Sequence, residues 1–244
     1  MGLHKRVKDI KRFYTLLEKL EDKVRGKRIL AECTGRMDWP KRGVYFFFEP
    51  GEVRTTSGEG LRVTRVGTHA LKSGSSSTLW QRLRQHRGTL RGSRPGGGNH
   101  RGSVFRLHVG KALINRGDWP DHIAAHWGND SSASTKIRDA EYPLEKAVSD
   151  YIRKMPFLWL DILDEPGPES LRGFIEQNAI ALLSNFGARK KSVDPPNKKW
   201  LGNWAASKAI RSSGLWNVNH VNEKYDPKVI VALRDQIKKF PISG

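Results

Sequence analysis

The chain has 244 residues, 37% of them hydrophobic and eight of them tryptophan, which is enough material for a packed core and excludes a disordered chain. Lys and Arg number 44 against 25 Asp and Glu, a formal charge of +19 at pH 7; a surplus of that size points to a polyanionic partner, because cations that neutralise phosphates release counterions. The single cysteine, Cys33, excludes an internal disulfide framework or multi-cysteine zinc site and suits a reducing, cytoplasmic setting, while the absence of an apolar leader or a run of about 18 apolar residues argues against secretion and membrane spanning.

Ile10, Phe13, Leu16, Leu17, Leu20 and Val24 recur at helical spacing and predict an amphipathic helix over residues 5–25. Its basic residues, Lys5, Arg6, Lys8, Lys11 and Arg12, read equally well as phosphate contacts or as a solvated face. Gly43 to Glu49 predicts a buried strand, Pro50-Gly51-Glu52 a turn, and Leu61 to Gly67 a half-buried strand antiparallel to the first. A Ser- and Gly-rich loop runs from Gly67 to Thr78, and Thr78 is the expected N-cap of a short helix over Leu79 to His86. Gly88 to Gly102 is rich in Gly and Arg. It reads either as a mobile loop that orders on nucleic acid or as a surface insertion.

Val104 to Val109 predicts a further strand, Pro143 to Met155 a helix, Phe157 to Leu163 a strand, and Glu169 to Phe186 a helix with Phe174, Ile175, Ala179, Leu182 and Leu183 on its apolar side. A positive run, Arg189-Lys190-Lys191, and a turn at Asp194-Pro195-Pro196 follow, and Pro227 to Lys239 predicts the last helix. His122 and His126 have the i, i+4 spacing of a zinc pair but no third ligand at useful spacing, so they read as structural. The stretch holding Asn217, Asn219 and His220 reads as a structural C-terminal element that supports the site. Without repeats or an obvious linker, residues 1–244 read as one elaborated domain: a flank over 1–40, a core over 41–186 and an extension over 187–244.

One ordered set of residues stands out: Gly43-Val44-Tyr45, Arg65-Val66-Gly67, Arg82, His86 and Glu176. In this order, carried on strand, strand, helix and a later helix, it resembles the GIY-YIG nuclease superfamily, in particular its restriction-endonuclease-like members. The resemblance covers about residues 41–186. It implies an α/β fold (α+β) with a small central antiparallel sheet flanked by helices, here with an N-terminal helix and a C-terminal extension. It also implies a divalent metal, Mg2+ or Mn2+, held by Glu176, an arginine on the scissile phosphate at Arg82, and a tyrosine beside the attacking water at Tyr45. One carboxylate completed by waters and substrate oxygens is typical magnesium chemistry, and the planar guanidinium suits phosphate oxygens.

His86 lies four residues after Arg82, so both project from one helical face, and it is a candidate for proton transfer or phosphate binding. Arg65 replaces the second-motif tyrosine, which either moves that tyrosine's role to another residue or makes Arg65 a phosphate ligand. His69 and Lys72 both compete for the basic position in the following loop. Arg84, Arg91, Arg94 and Arg101 complete the candidate substrate-binding set. The family's late asparagine falls on Ala188, with Asn185 and Asn197 the nearest alternatives.

The resulting expectation is a metal-dependent DNA endonuclease in restriction or defence against foreign DNA, with no membrane partner; a palindromic target would require two active sites and so a homodimer. Two alternatives stand beside it: a non-catalytic nucleic-acid-binding module of the same fold, and a repair, recombination or mobile-element nuclease.

Overall fold

A computed structural model describes residues 3–117, 119–188 and 192–240; the positive run Arg189-Lys190-Lys191 lies outside them. The first helix, α1 (Leu3–Lys23), buries Ile10, Phe13, Tyr14, Leu16, Leu17 and Leu20 on one stripe, as the periodicity requires. Its basic residues face solvent, with Arg6 as the exception. The Arg6 guanidinium reaches across to Leu182 O (3.0 Å) and Ser184 O (2.6 Å), satisfying carbonyls at the end of a later helix.

Four antiparallel strands form one sheet in the order β1-β4-β2-β3: β1 (Arg28–Ile29), β2 (Gly43–Val53), β3 (Leu61–Gly67) and β4 (Pro156–Asp161). The central β2 pairs with β3 (Tyr45 opposite Gly67) and with β4 (Tyr45 opposite Trp159). Because helices and the C-terminal segment cover both faces, Val44 to Phe48 are all buried. Two expectations need correction. The expected turn at Pro50-Gly51-Glu52 lies within β2, where the register shifts between Phe48 and Val53 and Gly51 takes φ +84°. An irregularity of this kind accommodates Pro and Gly without ending the strand. Strand β3 is also not half-buried: everything from Arg62 to Gly67 is inside.

Helix α2 (Leu79–Arg87) starts at the expected cap, with Thr78 accepting from Gln81 N and the Gln81 side chain returning to Thr78 N. The expected strand at Val104–Val109 is instead the first half of α3 (Val104–Arg116). Ser103 caps it, and Phe105, Val109, Ala112 and Leu113 give it a helical apolar face that a six-residue window hides. After a single turn, α4 (Asp121–Ala124), comes α5 (Thr135–Arg153), which begins eight residues before the expected Pro143. Its N-cap is Ser134, and Pro143 sits inside the helix. Helices α6 (Leu171–Leu183), α7 (Lys208–Ser213) and α8 (Lys228–Lys239) complete the described chain. No helix among the described residues is long and apolar enough to cross a membrane.

The segment after α7 closes the open edge of β3. Trp216 N donates to Thr64 O (2.7 Å), Arg62 donates to Gly214 O (2.6 Å), and Arg65 donates to Trp216 O (2.9 Å). An exposed strand edge is thereby removed. Trp216 is fully buried, and its indole N–H, with those of Trp200 and the Tyr151 hydroxyl, converges on the Glu49 carboxylate.

Candidate active site

The two short motifs meet across β2 and β3, where Tyr45 faces Gly67. A Cβ on Gly67 would stand 2.3 Å from the Tyr45 hydroxyl oxygen, and one on Gly43 would stand 2.5 Å from Leu160 O. Both glycines are there because no side chain fits: one lets the phenol cross the neighbouring strand, the other lets β4 approach. Tyr45 is fully buried and its hydroxyl is 2.9 Å from His86 Nε2. The other ring nitrogen, Nδ1, is 2.8 Å from Ser103 Oγ. Burial, then the nearby Arg82, Arg65 and Arg106, hold His86 well below its ordinary pKa, so the imidazole is neutral.

Arg65 lies inside, its guanidinium 4.7 Å from the centre of the Phe105 ring and bonded to Trp216 O. Its Nε is buried without a partner among the described residues. Burial lowers its pKa and the neighbouring Tyr45 raises it; an arginine so placed remains a cation. Glu176, on α6, accepts from Thr68 N (3.1 Å) through Oε1, while Oε2 has no partner among the described residues. Burial raises its pKa; Arg65, the Thr68 N–H, His220 and Arg82 act against that. No group of three or more His, Cys, Asp or Glu that could hold a metal occurs among the described residues. The donor set therefore fits an ion bound through one carboxylate with water and substrate oxygens, not an all-protein cage. His122 and His126 are exposed and belong to no such group.

Arg82 is half-buried on α2 and reaches Gln85 Oε1 (3.0 Å) and Gly102 O (3.3 Å). It lines a cleft of about 690 Å³ with Thr68, His69, Gln81, Arg84 and Gly102. Of the two loop candidates, His69 lines this cleft and Lys72 does not. The Nδ1–H of His69 donates to Ser77 O (3.1 Å), which leaves Nε2 as a buried lone pair without a partner. Burial and Arg172 lower the pKa of His69 to about 4.

The Gly- and Arg-rich segment is fastened to α5. Arg94 pairs with Asp139, Arg101 pairs doubly with Glu141 (2.6 and 2.8 Å), and His100 N bonds Glu145 (2.6 Å). Arg94 and Arg101 are thus occupied, whereas Arg84 and Arg91 are exposed and make no side-chain contact of this kind.

Several contributors escape sequence reasoning. Ser103 orients His86, and the buried Arg106 donates to His86 O (2.9 Å) and Glu145. Asn217 clamps β3 through Val66 N (3.1 Å) and Val66 O (2.8 Å). By contrast, Asn185 bonds the backbone of Val193 and Asn197 bonds Lys199 N and Glu52, both without a contact to Tyr45, Arg82 or Glu176. The sequence places Asn217 in a supporting C-terminal element but does not give its clamp, which joins it to a strand about 150 residues earlier.

No curated protein and no solved structure matches the chain. A family model described as the GIY-YIG domain matches residues 4–242, nearly the whole chain. With the two motifs facing each other across β2 and β3 and the glutamate of α6 beside them, the chain belongs to the GIY-YIG family of endonucleases.

Proposed function

We propose that this protein is a divalent-metal-dependent endonuclease that hydrolyses phosphodiester bonds in DNA, in restriction or another defence against foreign DNA. The observation that carries the reading is Glu176, which keeps one carboxylate oxygen free within the field of Arg65 and Arg82, Arg65 also neighbouring Tyr45 of the Tyr45–His86 pair. Hydrolysis needs a deprotonated water, positive charge at the phosphoryl oxygens and help for the leaving oxygen. Glu176 would hold magnesium or manganese through its free oxygen; the bound ion supplies charge neutralisation and a more acidic water. Arg82 offers its planar fork to a phosphate from the wall of the cleft. Arg65 adds a desolvated cation beside Tyr45 and Glu176. In the His86 tautomer protonated at Nδ1, Ser103 accepts that hydrogen bond and Nε2 accepts one from the Tyr45 hydroxyl, so the neutral imidazole orients the phenol. Tyr45, so held, would face the attacking water. The defence setting is supported by the Arg82-x-x-x-His86 arrangement on α2, similar to restriction enzymes of this superfamily.

Cleavage of supercoiled plasmid with magnesium or manganese tests the reading, comparing the wild type with Glu176→Ala. The wild type is expected to cut. The variant is expected to lose about 10²–10³-fold or more in rate, the scale of removing one charge-stabilising group, while still binding DNA. If neither protein cuts duplex, branched or single-stranded DNA and both bind it, the non-catalytic reading replaces this one. Discrete bands support restriction; a preference for branched substrates supports repair or recombination.

A further inference from the structure

A second groove, of about 920 Å³, opens beside the cleft that Arg82 lines, and Arg84, Gln85 and Gly102 line both. Seven arginines and two glutamates line it. Both glutamates are already matched: Glu141 by Arg101, and Glu145 by Arg106 and His100. Four of the arginines have no match. Arg36 (after the first sheet strand), Arg84 (on α2), Arg91 (in the Gly- and Arg-rich segment) and Arg138 (on α5) are exposed. None has a side-chain hydrogen bond or ion pair among the described residues. Burial, Arg153 and Arg84 together pull down the pKa of Arg87 in the same wall, as expected where cations crowd without anions.

Resting on the nuclease reading, we propose that this groove is the track for the sugar-phosphate backbone of the DNA flanking the scissile bond. Folding has brought four unpaired guanidinium groups from four separate segments to one surface, although each costs repulsion with the others. A single phosphate would need a tight pocket with converging donors; an elongated open groove with spaced arginines matches a polyanion with charges at regular intervals. Continuity with that cleft through Arg84 and Gly102 makes that polyanion the same strand that passes Arg82. The acidic residues fasten the wall and leave the outer arginines for the ligand. Contacts of this kind position the duplex and carry affinity without reading sequence.

The test is binding of the full chain to a labelled duplex in EDTA, so that nothing is cut, across a salt series. The groove variant replaces Arg36, Arg84, Arg91 and Arg138 by Gln. A charge-matched control replaces Lys224, Lys228, Lys238 and Lys239 by Gln, all exposed on or beside α8. The groove variant is expected to bind at least about thirtyfold more weakly at low salt, with the slope of log affinity against log salt reduced by roughly 3 to 4, about 0.9 per lost phosphate contact. The control is expected to change both far less. Equal losses in the two variants, or wild-type binding by the groove variant with an unchanged melting temperature, would overturn the track. Plasmid cleavage by the wild type is scored separately: cutting with groove-independent binding removes only the track, and groove-dependent binding without cutting removes only the nuclease reading.

Discussion

His86 shows how one buried side chain is tuned by its surroundings. It touches Tyr45 and Ser103, is ringed by Phe47 and Phe105, and feels the charges of Arg82, Arg65 and Arg106. Burial and these charges disfavour a second proton. His69 and His108 are also lowered, each to about 4, first by burial. The unfolded chain therefore takes up protons near pH 6.5 while the folded chain does not. The stability these groups contribute is fully present above that pH and is lost as pH falls. The fully buried His86 alone contributes a slope of up to about 1.4 kcal/mol per pH unit. Glu49 and Glu176, raised by burial, act in the opposite sense at lower pH. Calorimetry at pH 7.5 and 5.5 is expected to give a lower melting temperature at 5.5 and a smaller drop for His86→Gln; identical drops would refute the assignment. The candidates Tyr45, Arg82, His86 and Glu176 can be nominated from the sequence because they sit on regular elements in a recognisable order. The contact of Ser103 with His86 cannot, and the sequence places Asn217 in a supporting C-terminal element without giving its clamp on Val66, because both are long-range contacts with no local pattern.

Among the elements, β3 is the most constrained. Its last residue, Gly67, lies against the Tyr45 ring, and its preceding residues are buried on both faces. Gly67→Ala is expected to push Tyr45 off His86 and to destabilise the fold by about 1–3 kcal/mol, the usual range for an added group in a packed interior. Urea unfolding reads the first effect on stability, and plasmid cleavage reads the loss of the Tyr45–His86 contact; wild-type values in both would contradict the steric account. Helices α1 and α8, with their long apolar stripes, and α2, with its Thr78 cap, are legible in the sequence. The first half of α3 reads as a strand in the sequence because Phe105, Leu107 and Val109 alternate with Arg106 and His108 over a short window. The start of α5 was missed because Pro143 is a breaker by local rule, whereas the Ser134 cap and the burial of Glu141, Leu144 and Glu145 sustain the helix around it.

The molecule as a whole is held by its C-terminal segment as much as by its sheet. Trp216 fills the space against Phe105, Tyr151 and Trp200 and bonds both Thr64 and Glu49. Trp216→Ala is expected to cost about 3–5 kcal/mol, with the loss of one of the three donors to the buried Glu49 adding to it; chemical denaturation measures this, and a loss below about 1 kcal/mol would show that the segment is peripheral. Sequence reading recognised this tail as support for the site without seeing what it supports, because the pairing joins positions about 150 residues apart. That separation also sets a clock. A ribosome adding roughly 5–20 residues per second needs on the order of 10–30 s between finishing Arg65 and delivering Trp216, its backbone partner. Through that interval the nascent chain carries both motifs but lacks the strap that fixes β3. A cell making this protein would meet the closed β3 edge only after the segment around Trp216 has been made.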